Sequence, residues 1–222
     1  SKRSFKYYLA NDELKLFLSI IFVVVLVSTL TLYMKEGFSV NDSIRYGFFQ
    51  SISIVTTTGY TLEPLSGLGG SIGFLIFVLA FIGACSGSVG GGMKVWRVLL
   101  MLKVGFSNIT KIIHPSAISS VKLNGEKIVS SQIEAVFSFI AIYISFFLLF
   151  MFILIFQNVD FYSAFSGTAA AINNLGPGLG SFSENYSTLS DVGKFTLTMA
   201  MIVGRLELFG VLILFVPSFW RS

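Results

Sequence analysis

Thr56-Thr57-Thr58-Gly59-Tyr60-Thr61 lies between two long apolar segments. A Gly-Tyr turn edged by threonines is a way to aim backbone carbonyls at a bare cation. Filters of this kind replace an ion's hydration shell with backbone oxygens, and their signature strand is Thr-Val-Gly-Tyr-Gly or a near variant. Gly59 supplies the left-handed or otherwise forbidden backbone that lets successive carbonyls point the same way. One strand cannot enclose an ion, so a pore needs more strands, a membrane and a gate.

Upstream, residues 14–34 carry no charge after Lys15. At ~1.5 Å per residue they cover the roughly 30 Å hydrocarbon core. Residues 43–55, with Asn41 or Asp42 as N-cap, are too short to span and predict a re-entrant pore helix. After a loop at 63–70, residues 71–106 are apolar but broken by Gly83-Ala84-Cys85-Ser86-Gly87-Ser88-Val89-Gly90-Gly91-Gly92. That many glycines interrupt a helix. The order then recurs: a span at 130–156, a short stretch at 160–172, the turn Asn173-Asn174-Leu175-Gly176-Pro177-Gly178-Leu179-Gly180 and a span at 191–219. Gly59 and Gly176 are 117 positions apart. The expected fold is an all-α membrane protein of two helix, re-entrant pore helix, filter loop, helix (M-P-M) repeats, like a potassium-channel pore. Its parts are a first repeat at 1–110, a connector hairpin at 111–129 and a second repeat at 130–222.

Composition agrees. The chain of 222 residues is 54% hydrophobic and 12% charged, with mean hydropathy +0.83, where soluble domains average about 25% charged. The net charge of +4 fits basic residues flanking spans rather than a nucleic-acid surface. One cysteine and one histidine supply neither a disulfide framework nor a zinc cluster. Ser1, Lys2, Arg3 and Lys6 ahead of an apolar run imitate a signal peptide, but no small-residue cleavage site follows, so the run is expected to be retained. Eleven of the Lys and Arg residues, Lys94 and Arg97 among them, fall on the side of the termini and connector, and three, Lys35, Arg45 and Lys194, on the filter side. Cytoplasmic termini and periplasmic filter loops follow from this bias. His114-Pro115 and Asn124-Gly125 bracket a short extended segment at 117–123, expected as a cytoplasmic hairpin.

These pieces, with Ile113-His114-Pro115, Lys122-Leu123-Asn124-Gly125 and Gly204-Arg205-Leu206-Glu207, resemble the second half of a potassium-translocating subunit of the Trk/Ktr/HKT superfamily, on its bacterial TrkH/TrkG branch. The resemblance runs over nearly the whole chain in order. It implies a filter made by Thr57, Thr58, Gly59 and Tyr60 in one repeat and by Asn174, Leu175, Gly176 and Pro177 in the other. Potassium, the substrate, would sit at Thr57, Thr58, Asn174 and Leu175, and no cofactor is implied. It also implies a gate formed by the loop Gly83, Cys85, Gly87, Gly90, Gly91 and Gly92 under the filter, and an Arg205 that projects toward the pore. Full members carry four repeats, so the chain reads as the third and fourth. The implied surroundings are the bacterial inner membrane, the N-terminal half of the same subunit, a homodimer of full subunits and a cytosolic TrkA-type nucleotide-binding regulatory subunit, with no nucleic acid. Pro177 departs from the filter tyrosine, which puts selectivity for potassium over sodium in question.

Plainer readings compete at each point. Gly87 and Gly92 have Walker spacing, but Met93 stands where a phosphate loop needs lysine, so a nucleotide site is excluded. Cys85 reads as small packing. An intramembrane Arg205 costs on the order of 2.5 to 3.5 kcal/mol to insert and marks a functional site by default. Glu207, two positions on, faces elsewhere on a helix. A non-conducting membrane scaffold with glycines for close helix packing is the alternative function. It gives no reason for Arg205 or for two matched re-entrant loops. An enzyme is disfavoured by the single histidine and the lack of an intramembrane carboxylate cluster.

Overall fold

The computed structural model describes residues 11–35, 37–62, 73–74, 78–88, 90–115, 121–206, 208–214 and 216–221. The expectations made for Lys2, Arg3, Lys6, the loop at 63–70, Val89, Glu207 and residues 117–120 fall outside these. Helix α1, Asp12–Lys35, is capped by Asn11, whose Oδ1 accepts from Glu13 N at 2.9 Å and Leu14 N at 3.2 Å. Asp12 and Glu13 in its first turn complement the positive end of the helix. Helix α2, Val40–Val55, starts earlier than expected, because Ser39 rather than Asn41 or Asp42 is the cap. Asp42 N donates to Ser39 Oγ at 3.2 Å while Ser39 Oγ donates to Asp42 Oδ2 at 2.7 Å. The two helices lie together through a 2.7 Å contact between the Ser28 and Ser51 hydroxyls.

Helix α3, Val95–Ile113, follows the broken segment, and a hairpin of β1, Lys122–Leu123, and β2, Glu126–Lys127, precedes helix α4, Ser130–Phe156. The strands pair Lys122 with Lys127 and Leu123 with Glu126. Asn124 and Gly125 turn them with φ of +51° and +86°, the two-residue hairpin that Asn-Gly favours. Within the described part of the expected segment the strand is Lys122–Leu123, and its partner lies after the turn. Asp12 ties this hairpin to the helices. Its backbone N–H donates to Asn124 Oδ1 at 2.8 Å, and Lys103 Nζ bridges Asp12 Oδ2 at 2.6 Å and Lys122 O at 2.9 Å.

Helix α5, Phe161–Ile172, is short, helix α6 is Asp191–Arg205 and helix α7 is Leu208–Leu214. The continuous last span expected over 191–219 is instead broken, with α7 turned 105° from α6. Arg205 ends α6 in the last turn, where a cation suits the negative helix terminus. Among the described residues, the helices Asp12–Met34 and Ser130–Phe156 are each long and apolar enough to cross a bilayer.

The core is built on α5, where Ala164, Ala169, Ala170, Ala171 and Ile172 are buried together with Ser163, Ser166 and Thr168. Small residues let neighbouring backbones approach closely. Phe139, Tyr143, Phe147 and Phe150 of α4 pack along it. Phe81, from the broken segment, joins them, with ring centroids 5.4 Å from Phe147 and 6.0 Å from Phe165. The exterior is apolar, with Phe22 68% and Phe156 86% exposed, as a lipid-facing surface requires.

Candidate ion filter and gate

The two short helices, α2 and α5, end in the same hydrogen-bond pattern. Thr56 N donates to Ile52 O at 2.9 Å, Thr57 N to Ile54 O at 3.0 Å and Thr58 N to Ser53 O at 2.8 Å. Asn173 N donates to Ala169 O at 3.0 Å, Asn174 N to Ala171 O at 3.0 Å and Leu175 N to Ala170 O at 2.9 Å. Every donor and acceptor is 117 positions from its counterpart. The last two bonds of each set are a Schellman closure, which needs a left-handed residue after the cap. Thr57 and Asn174 fill that position with φ of +55° and +53°. Asparagine tolerates it, whereas a β-branched threonine there is an outlier, and such residues cluster at functional sites. Two positions on, Gly59 and Gly176 are also left-handed, at +83° and +99°. Each turn thus has a left-handed residue on either side of Thr58 or Leu175.

The turns meet. A Cβ on Gly59 would lie 2.0 Å from Leu175 O and 3.4 Å from Pro177 Cδ, so the two backbones approach as only glycine permits. The carbonyl ends of α2 and α5 point into this region, where a helix terminus favours a cation. Thr58 Oγ1 lies 2.7 Å from Thr56 Oγ1. Tyr60 is 72% exposed and shares a shallow hollow with Phe48, Phe49, Ile52 and Thr58. Behind the second turn, Tyr143 OH donates to Asn173 Oδ1 at 2.7 Å, wholly within the core.

The glycine-rich segment folds directly against both turns. Its neck closes where Met93 N donates to Phe81 O at 3.0 Å and Val95 N to Ala84 O at 3.1 Å. Gly83 fits against Gly91 O and Gly92 there. Gly90 packs on Thr57 Oγ1 and Thr56 O, and a Cβ on Gly91 would lie 1.8 Å from Asn173 O. Gly91 N also donates to Thr57 Oγ1 at 3.1 Å. Gly90 and Gly91 therefore touch the ends of both short helices, while Cys85 is half-buried and Gly87 exposed toward the loop tip.

Two restraints on this loop were not legible in the sequence. Lys94, grouped there with the solvent-side charges, is 6% exposed. Its Nζ donates to Ser88 O at 2.8 Å and also to Gly90 O, so its charge is satisfied by the loop's own carbonyls. Glu13, from the first turn of α1, accepts Ser86 N at 2.6 Å and Ser86 Oγ at 3.0 Å. Arg205 and Lys94 line one cavity of about 190 Å³, with Tyr143, Ile172, Gly204 and Ser88. Gly204 brings α6 against Ile172 O, since a Cβ there would lie 1.9 Å from it.

Two short helices that end in matching backbone turns, packed among helices long and apolar enough to cross a bilayer, define an all-α membrane protein. The chain belongs to the TrkH family of cation transport proteins, which it matches over residues 7–222. It is 38% identical over 223 residues to the Trk system potassium uptake protein TrkH of Escherichia coli K12, an overlap of 100% of this chain and 46% of that protein. Trk system potassium uptake protein TrkH of Halomonas elongata is 36% identical over 221 residues, again 100% of this chain and 46% of the relative. Escherichia coli K12 TrkG is 31% identical over 222 residues, 100% of this chain and 46% of that protein. The crystal structure of the potassium transporter TrkH from Vibrio parahaemolyticus superposes with TM-score 0.90 at 37% identity, over 97% of this chain and 46% of that one. The chain spans about half the length of the curated relatives it matches. The family is one of transport proteins and not of enzymes.

Proposed function

We propose that this chain supplies two of the four filter strands of a potassium-translocating subunit. Potassium passes down its electrochemical gradient between Thr57, Thr58, Gly59 and Tyr60 on one strand and Asn174, Leu175, Gly176 and Pro177 on the other. Carbonyls of Thr57, Thr58, Asn174 and Leu175 replace part of its water shell. The observation that carries this reading is the contact of Gly59 with Leu175 O, which brings two re-entrant turns of identical hydrogen bonding into one place. The names of the relatives, potassium uptake proteins, support the choice of ion.

On this reading residues 83–92 and Arg205 form the gate beneath the filter, with the loop braced on Thr57 and Asn173. Residues 1–110 and 130–222 are then successive repeats joined by a hairpin connector at 111–129. Two strands cannot ring an ion, so the remaining two come from the N-terminal half of the same subunit. The inner membrane, periplasmic filter loops, a dimer of full subunits and a TrkA-type regulatory subunit on the hairpin side complete the proposal and rest on family resemblance. The test is potassium uptake by the full subunit in cells lacking their own potassium transporters. Gly59→Ala is expected to abolish uptake, and normal uptake at normal protein level would overturn the filter assignment.

A further inference from the structure

Tyr186 lies beyond the second filter turn, and its hydroxyl donates to Gly176 O at 2.9 Å. Gly176 sits at the same step of its turn as Gly59 does in the first, so this bond reaches a carbonyl of the proposed filter itself. The donor is rigidly held. The Tyr186 ring stacks on Phe182 with centroids 4.9 Å apart and planes at 20°. Phe182 is buried and in contact with Gly167 of α5 and with Gly178. Gly178 N donates to Phe182 O at 3.1 Å. The following backbone is fastened to α5 as well, Leu179 N to Ser166 Oγ at 2.9 Å and Ser181 N to Ser163 Oγ at 2.9 Å. Burial pushes the Tyr186 phenol up from its ordinary pKa, so it keeps its proton and remains a donor.

We propose that Tyr186 is a positioning residue that sets ion selectivity, by pinning the Gly176 carbonyl and drawing on one of its lone pairs. This rests on the filter reading above. Two accounts of potassium selectivity exist, a cavity of fixed size and the field strength of the carbonyl dipoles. Both give the same direction here. Losing the hydroxyl frees the strand to close around a smaller ion, and it restores the full field of a carbonyl that then favours the smaller ion. Tyr186 therefore biases the second strand toward potassium over sodium, at the strand whose Pro177 departs from the filter tyrosine.

The test is competition of sodium against rubidium uptake by the full subunit, in cells lacking their own potassium transporters, for the parent, Tyr186→Phe, Tyr186→Leu and Gly59→Ala. Tyr186→Phe keeps the ring stack and loses only the hydroxyl. It is expected to lower the preference for rubidium over sodium roughly three- to tenfold, the equivalent of one hydrogen bond, with protein level unchanged. The ratio is internal to each sample, so a variant that accumulates poorly still reports it. Tyr186→Leu is expected to shift the ratio at least as far. A Tyr186→Phe ratio equal to the parent's, with Tyr186→Leu lowering only protein level, would reduce Tyr186 to packing and overturn the inference. If Gly59→Ala leaves uptake intact, the filter reading fails first. If it abolishes uptake while Tyr186→Phe leaves the ratio unmoved, only the role of Tyr186 falls.

Discussion

Gly59→Ala is the sharpest single perturbation, because its effect on the proposed filter and its effect on stability separate by size. An L-residue in left-handed backbone costs roughly 1–2 kcal/mol, which a domain with about 5–15 kcal/mol of stability survives. The added Cβ would sit 2.0 Å from Leu175 O, whereas ordinary contact begins at 3.4 Å, so the two turns must part by about 1.4 Å. The neighbour that must yield is backbone and cannot rotate aside. Functional constellations hold their geometry within about 0.5 Å, so a displacement of this size removes Leu175 O from any shared coordination shell. The expected result is a fall of more than about tenfold in the initial rate of potassium uptake, with the subunit still in the membrane and its melting temperature lowered by only a few degrees. The assay is uptake in cells without their own potassium transporters, normalised to membrane-inserted protein. Gly105→Ala, in α3, where an added Cβ meets nothing within 4 Å, controls for substitution as such. Parent-like uptake by Gly59→Ala at parent-like abundance would refute the reasoning.

Three further outcomes are expected. Thr57→Val removes the acceptor for Gly91 N–H and leaves a buried donor unpaired, a cost of about 1–3 kcal/mol. Thr57→Ser keeps the bond, so thermal midpoints in detergent should drop for valine and hold for serine. Lys94→Met takes the donor from Ser88 O and Gly90 O, and a loosened loop should raise potassium flux measured without any regulatory subunit; flux at or below the parent's would count against a blocking role for the loop. Asp160 caps α5, accepting Ser163 N at 2.9 Å, and that hydrogen bond holds its carboxyl below the usual carboxylate range. Its stabilisation is therefore present above the unfolded-state value of about 3.9 and disappears as pH falls through the lowered folded value. Asp160→Ala should cost about 1 kcal/mol at pH 7, and the gap from the parent should narrow only in strong acid.

The broad layout was legible because it rests on long-range pattern. Uninterrupted apolar runs marked α1 and α4, their polar-capped short successors marked α2 and α5, and a glycine cluster marked the break before α3. What escaped was set by contacts between segments far apart in sequence. Lys94 looked like any basic residue at the end of a span, since nothing local says that its ammonium turns back to the carbonyls of Ser88 and Gly90. Glu13 read as a first-turn acid, and its bond to Ser86 crosses 73 positions. The helix ends lay between these cases. The left-handed backbone expected at Gly59 is present, and Gly176, Thr57 and Asn174 share it. Asn174 offered a clue, because asparagine is the usual substitute for glycine after a helix cap. Thr57 offered the opposite clue, as β-branching argues against that backbone. The last helix was read as continuous because its composition stays apolar past Arg205, and composition does not register a 105° turn.

The contacts of residues 83–94 also constrain how such a loop could move under the proposed gating role. Gly91 is wedged between the two helix ends, with its N–H on Thr57 Oγ1 and no room for a Cβ beside Asn173 O. Shifting that limb would drag Thr57 and Asn173, and with them the Schellman closures that shape both turns. A gate that opened there would deform the proposed filter each time. The opposite limb is held differently. Ser86 hangs on the Glu13 carboxylate, and the neighbouring Asp12 is bonded to the hairpin at Asn124 and to Lys103 of α3. Exposed polar bonds of this kind contribute little net stability, so residues 85–87 are held more weakly than Ala84, whose carbonyl accepts Val95 N, or than 90–92, and Lys94 ties the two limbs together. Motion of the hairpin would then reach the loop through the first turn of α1, two adjacent carboxylates apart, without passing through the filter.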